Sequence, residues 1–372
     1  MKKRLPILLL IGVVAISTVL STGCKKKNKN IEGEPTITET PAPTQETTPT
    51  PTPTEVPENR EGQVQSKLTG EWVPEEEGNK RPYAIMFNNI SYASPQSGTE
   101  EAAVLYEALA EGGITRLMGI FEELNEKRIG SIRSARHYFV SFADEYDSIY
   151  VHYGETKYAT QKIKALGIDN LSGLTGIEPT VFYRDKSIKA PHNAFASRGG
   201  ILEGTKIKKY RTEYKEGHEG HFSFYQEDTE LVSDEVVKKA SFKFSPYTTP
   251  YFTYNEEDKL YYRFQFGSKH IDPNSGNQLA FKNIIVQFVK EWDIDKNDYQ
   301  TMDLEDASGN GFYITNGKKV DITWTKNEQT KKMRYLDASG NVLKMNQGKT
   351  FIVIFPNNQT SNITLSDSIS NE

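Results

Sequence analysis

The chain has 372 residues, room for two domains at about 100–200 residues each. Hydrophobic residues make up 36% and charged residues 26%, so an ordinary globular core can form. Seven of the 45 basic residues precede residue 30, leaving 38 against 50 acids; the rest of the chain is distinctly acidic, which argues against a nucleic-acid partner, and the single cysteine, Cys24, excludes an intrachain disulfide and a thiolate-rich zinc site.

The N-terminus reads as an address. Lys2-Lys3-Arg4 is followed by an apolar run from Leu5 to Leu20, then by Ser21-Thr22-Gly23 before Cys24. This is a secretory signal layout, and its cleavage site resembles that of a bacterial lipoprotein, in which the cysteine after the cut is lipidated. The run is about 16 residues, short against the roughly 20 needed for a spanning helix. Lys25, Lys26, Lys27 and Lys29 would then lie at the lipid headgroups, each contributing about 1 kcal/mol at an anionic surface. Residues 30 to about 66 are rich in Thr, Pro and Glu, with a Pro-Thr alternation from Pro49 to Thr54, and read as an extended tether. The expected layout is a signal peptide over 1–23, a lipidated Cys24 with its tether over 24–66, an α/β layered domain over 67–215, a mostly antiparallel β domain over 216–356 and a polar tail over 357–372. The fold class expected is α+β overall.

In chain order, Pro82–Ile90 reads as a buried strand. Thr99 looks like an N-cap for a helix whose Ala102, Leu105, Tyr106 and Leu109 share one face. On that helix Glu100, Glu101, Glu107 and Glu111 form an acidic run with Arg116 downstream, suited to paired-carboxylate chemistry or simply to a solvated face. Ile114–Phe121 reads as a second strand, Ser134 as the cap of a second helix, and Asp147–Tyr153 as a third strand. Thr156 opens a helix that Gly167 ends, and Ser197 caps another to about Lys209. Beyond residue 220 the pattern is strand-like, with Asn316-Gly317 marking a hairpin.

The densest polar grouping lies on loops. Arg133 and Arg136 sit at a helix start, where an anion is favoured. His152 and Glu155 fall past one strand end, Arg184 and Asp185 past another, and His192 and Asn193 follow. Arg133, Arg136, Arg184, His192 and Asn193 are candidate binding residues; His152, with Glu155 or Asp185, is a candidate acid/base pair. Ion pairs and caps that close loops are the competing reading, with the stronger claim on sequence alone. Gly217-His-Glu-Gly-His221 lacks a helical metal pattern, and Asp293–Asn297 loses the calcium pattern at Asp298 and Leu304. No metal and no cofactor is assigned.

The runs Arg81–Asn89, Gln96–Ala102, Ala110–Arg116, Ile129–Arg136 and Lys189–Asn193, with Tyr262–Gln265, Asn283–Gln287, Ile314–Lys318 and Gly348–Thr350, resemble the YerB family of lipoproteins of Gram-positive bacteria. The resemblance covers roughly residues 70–356. It implies an extracytoplasmic lipoprotein of two domains and supplies no catalytic residue. A proline more often stands in the family where this chain has His137, so His137 receives no role. The expected protein is anchored by lipid on Cys24 to the outer face of the cell membrane, its partner a cell-wall polymer or an envelope protein. Three functions fit: binding an envelope component, hydrolysing or transferring an envelope polymer, or acting as a scaffold for a membrane protein.

Overall fold

A computed structural model describes residues 60–369 apart from 328, 329 and 331. The expected signal peptide, Cys24 and most of the tether lie outside the described residues. In chain order the first half holds strands β1 (Tyr83–Asn89), β2 (Val104–Leu109) and β3 (Thr115–Phe121), then helix α1 (His137–Glu145). Strand β4 (Ile149–His152), helix α2 (Lys157–Leu166), strand β5 (Asn170–Ser172) and helix α3 (Arg198–Lys208) follow. The second half is built from β6 (Lys239–Phe242), β7 (Tyr251–Asn255), β8 (Leu260–Gln265), β9 (Asn283–Val289) and β10 (Ala307–Thr315). It ends with β11 (Lys318–Asn327), β12 (Lys332–Leu336), β13 (Thr350–Pro356) and β14 (Ile363–Ser366).

Among the described residues, ten strands form one mixed sheet in the order β12-β11-β10-β9-β13-β2-β3-β1-β4-β5. Both halves of the chain contribute to it. The seam is β13, parallel to β9 on one side and to β2 on the other. A second sheet carries β8-β7-β6-β14. The fold is therefore mainly β. No helix among the described residues is long and apolar enough to cross a membrane.

Alternation along the central strands feeds two cores, one on each face. Ile85, Phe87, Leu105, Leu117 and Phe351 join Phe242, Phe252 and Phe281 of the second-sheet region. Met86, Tyr106, Met118 and Ile352 join Phe139 and Phe142 of α1 and Ala159 of α2. A strand buried on both faces reads as a continuous apolar run, as β1 and β3 do. Helix α2 begins and ends where expected: Thr156 Oγ1 accepts the Ala159 N–H at 3.1 Å, and Gly167 closes it at φ 63°. Ser197 caps α3 in the same way. The Asn316-Gly317 hairpin joins β10 to β11, both residues at positive φ.

The helix expected from Thr99 through Leu109 is instead strand β2. All six of its residues are buried. A run apolar at nearly every position satisfies a helical spacing and a two-faced strand equally well. Here β13 and β3 flank it and take up its backbone groups. Its supposed acidic face is dispersed accordingly: Glu107 is buried against Arg263, and Glu111 lies beyond the strand end. The helix expected to be capped by Ser134 begins at His137, after Arg136, with no side chain capping it.

Candidate functional site

Strands β1, β2 and β4 end at the same edge of the main sheet, and antiparallel β3 begins there. The segment Ser131–Arg136 is laced across this edge. Arg133 donates its backbone N–H to Met86 O at 3.1 Å and accepts from the Tyr153 N–H at 3.0 Å; the Ala135 N–H reaches Gly154 O at 2.9 Å. That lacing sets Arg133 and Arg136 against the start of α1, whose first turn holds no acidic residue.

Arg136 is closed by a bidentate pair with Glu111, Nε to Oε1 at 2.6 Å and Nη2 to Oε2 at 2.5 Å. Its Nη1 donates to Ala135 O at 2.9 Å. Burial opposes ionisation of Glu111, but the hydrogen bond and charge of Arg136 outweigh it and hold that carboxyl below its ordinary range.

Arg116 completes the group. It is the second residue of β3, opposite Asn88 and Ala108, on the sheet face that α1 covers. It is 3% exposed, and its Nε and Nη1 are buried without a hydrogen-bond partner among the described residues. Burial first, then the charges of Arg136 and Arg133, push it down to about 9, still cationic at neutral pH. Arg133 donates Nη1 to Pro191 O at 3.1 Å, while its Nε is likewise unpartnered. The hydroxyl of Tyr150, on β4 with β1 between it and β3, is fully buried and unpartnered, and it feels the charge of Arg136 and Arg116.

His192 borders this group. Asn88 donates Nδ2 to its Nδ1 at 2.8 Å, and Tyr92 meets the ring edge-on at 5.5 Å. Burial, then Arg133 and Arg116, depress its pKa, so the ring is neutral at pH 7. His192 and Ser131 also line a cavity of about 430 Å³ with Tyr92, Pro95, Ile188 and Phe195. Ser131 Oγ is another buried atom without a partner.

The remaining expected residues hold the neighbouring loop. Arg184 donates to Asn193 Oδ1 at 2.9 Å and lies 4.3 Å above the Tyr153 ring. Asn193 donates back to Asp185 O at 3.3 Å. Asp185 pairs with Arg128 at 2.8 Å and accepts from the Ser187 N–H and hydroxyl. His152 is 0% exposed, with Nδ1 on Gly154 O at 2.9 Å and Nε2 on Asn170 Oδ1 at 3.2 Å. Glu155 lies 3.4 Å from its Nδ1 and accepts from Ser172 and Thr160. Burial depresses His152 as a base. The structure thus brings Arg133, Arg136 and His192 together; it also sets Glu155 beside His152, but there both ring nitrogens are buried and bonded, and Asp185 is paired with Arg128 instead. Arg116, Glu111, Tyr150 and Asn88 are the residues that sequence reasoning left out of the site. Arg116 carried a usable signal: it is a lone charge inside a run, Ile114–Phe121, that otherwise reads as a buried strand.

Residues 68–211 match the family described as "Protein of unknown function (DUF3048) N-terminal domain", and residues 240–352 match its C-terminal counterpart. The chain is 27% identical over 308 residues to "Putative lipoprotein YerB" of Bacillus subtilis (strain 168), covering 82% of this chain and 91% of that protein. The crystal structure of the YerB protein from Bacillus subtilis superposes with a TM-score of 0.72 at 26% identity, over 82% of this chain and 99% of that one. With both domain signatures present in order and the same fold over most of its length, the chain belongs to the YerB family.

Proposed function

We propose that this chain is a lipid-anchored extracytoplasmic protein that binds an anionic component of the cell envelope at the α1 edge of the sheet. The lipobox-like Ser21-Thr22-Gly23-Cys24 and the printed name of the Bacillus relative support the anchor. One observation carries the binding: Arg116 is a buried cation with two unpartnered nitrogens, beside Arg133 and Arg136. A buried donor left unpaired costs about 1–3 kcal/mol, and more when charged, so a fold keeps one where a ligand supplies the acceptor. Glu111 does not do so: its oxygens are bonded to Arg136, and neither of these Arg116 nitrogens bonds it. The strand-end position suits a ligand site.

The test uses the full-length lipidated protein in detergent, mixed with isolated cell-wall sacculi and pelleted. Wild-type protein is expected to leave the supernatant in a salt-sensitive manner, and Arg133→Ala to weaken that retention at least tenfold. Equal retention of the two would overturn the site. Mass spectrometry of the same supernatant reads any released wall fragments, which would replace binding with hydrolysis or transfer.

A further inference from the structure

We infer that the group this site holds is the dianionic phosphoryl end of a phosphomonoester or pyrophosphate, with the attached residue of the ligand running into the cavity beside His192. The inference rests on the anion-binding reading above and narrows it by counting charge. Three guanidiniums, Arg116, Arg133 and Arg136, crowd the start of α1 with Glu111 as the carboxylate bonded among them, and the next charges out, Arg184 and Glu155, cancel each other. His192 adds no charge, since its ring is neutral at pH 7. Tyr138 and Tyr150 stay protonated, pushed up by burial. The local balance is therefore two positive charges, which one carboxylate or one phosphodiester would only half neutralise.

The donors suit the oxygens of a phosphoryl group better than a single flat carboxylate. Nε and Nη1 of Arg116, Nε of Arg133 and the Tyr150 hydroxyl are all without partners, and they belong to three separate elements. Guanidinium forks match phosphate oxygens bidentately. Helix α1 adds a fourth element: it runs nine residues, its N-cap position is Arg136, and no side chain satisfies its first N–H groups. His192 lies between this cluster and a cavity. Its ring is bonded to Asn88 of β1 and also lines the 430 Å³ cavity, whose other walls include Tyr92, Pro95, Ile188 and Phe195. Rings and aliphatic side chains share those walls with Ser97, Ser187 and Arg128, whose guanidinium lies on the Phe195 ring and is paired with Asp185, so the cavity favours a ring-bearing substituent with hydroxyls over a second anion.

The experiment measures binding to the full-length protein in detergent by calorimetry at pH 7.5, with inorganic phosphate, phenyl phosphate, dimethyl phosphate and acetate as probes. Phosphate is expected to bind at least tenfold more tightly than dimethyl phosphate or acetate, and phenyl phosphate more tightly than phosphate. Arg116→Met and, separately, Arg133→Gln are each expected to lose at least tenfold in phosphate affinity. Acetate or dimethyl phosphate binding as tightly as phosphate would overturn the dianion while leaving an anion site. Phosphate binding undiminished in both variants would place the phosphate elsewhere and overturn the inference. Absent phosphate binding would overturn it too, and Arg133-dependent retention on sacculi would show whether the broader reading survives.

Discussion

Arg116 and Arg263 are both buried, the first on one face of the main sheet and the second reaching the opposite face from β8 of the second sheet, and their surroundings differ in kind. Arg263 and Glu107 are each 0% exposed and meet at 2.7 Å. Gln265 and His270 take a further nitrogen of Arg263. Asn89 and Thr115 donate to the other oxygen of Glu107 at 2.9 and 2.7 Å, and Gln96 ties Asn89 to His270. Only Nε of Arg263 is left over. This web spans β1, β2, β3 and the second sheet, and its charges balance one to one. Arg116, by contrast, has two like charges and the already paired Glu111 for neighbours, and two nitrogens with no acceptor. Arg263 is enclosed by its partners, whereas Arg116 is buried with donors still unpaired, a costlier state for a charged group.

Three substitutions would break or sharpen this contrast. The largest effect is expected from Arg263→Met, which strands Glu107 as an uncompensated buried charge. It should cost about 3–5 kcal/mol of unfolding free energy by urea titration. A loss under 1 kcal/mol would mean that the web does not hold the two sheets together. Next comes Glu111→Gln, which removes the bidentate partner of Arg136 and should cost about 1.5–3 kcal/mol at pH 7. The sign of its pH dependence follows from the depressed carboxyl. The wild type holds this stabilisation above the unfolded value near 4.3 and loses it as pH falls through the lower folded value. The variant should therefore show a flatter acid limb below about pH 4, and an unchanged limb would deny that Glu111 is ionised against Arg136. The smallest effect, and of opposite sign, is expected from Arg116→Met. Replacing an unpartnered buried cation by an apolar chain of similar length should leave stability unchanged or raise it by about 1 kcal/mol. A loss above 2 kcal/mol would make Arg116 a structural residue like Arg263.

Much of the local structure was legible from local chemistry. Thr156 and Ser197 announced their helices because an N-cap hydroxyl acts on backbone within three residues. Asn316-Gly317 announced its hairpin because two successive positive φ values favour that pair. Strand β2 was misread because one of the two strands that flank it, β13, lies far away in sequence, and no pattern within Val104–Leu109 reveals that. The same distance hid the sheet's continuity across the boundary expected near residue 216. At the site, Arg133, Arg136 and His192 were legible because loops at strand ends expose polar side chains. Arg116 and Tyr150 were not, since their meaning depends on which face of a buried strand they occupy. His152 showed the converse limit, as a histidine at a strand end looks available until its two ring nitrogens are seen to be taken.

The placement of β13 also bears on how the protein is made. This strand lies near the end of the chain yet occupies the middle of the main sheet, with Thr350 opposite both Val104 and Asn283. Until it is present, β2 and β9 are open edges, apolar on both faces, and parallel pairing across so long a separation is slow to form. A chain still being synthesised therefore holds two unfinished half-sheets, and one that stops before residue 350 never joins them. Such truncated chains would be open to proteolysis, while the completed sheet withdraws both edges at once.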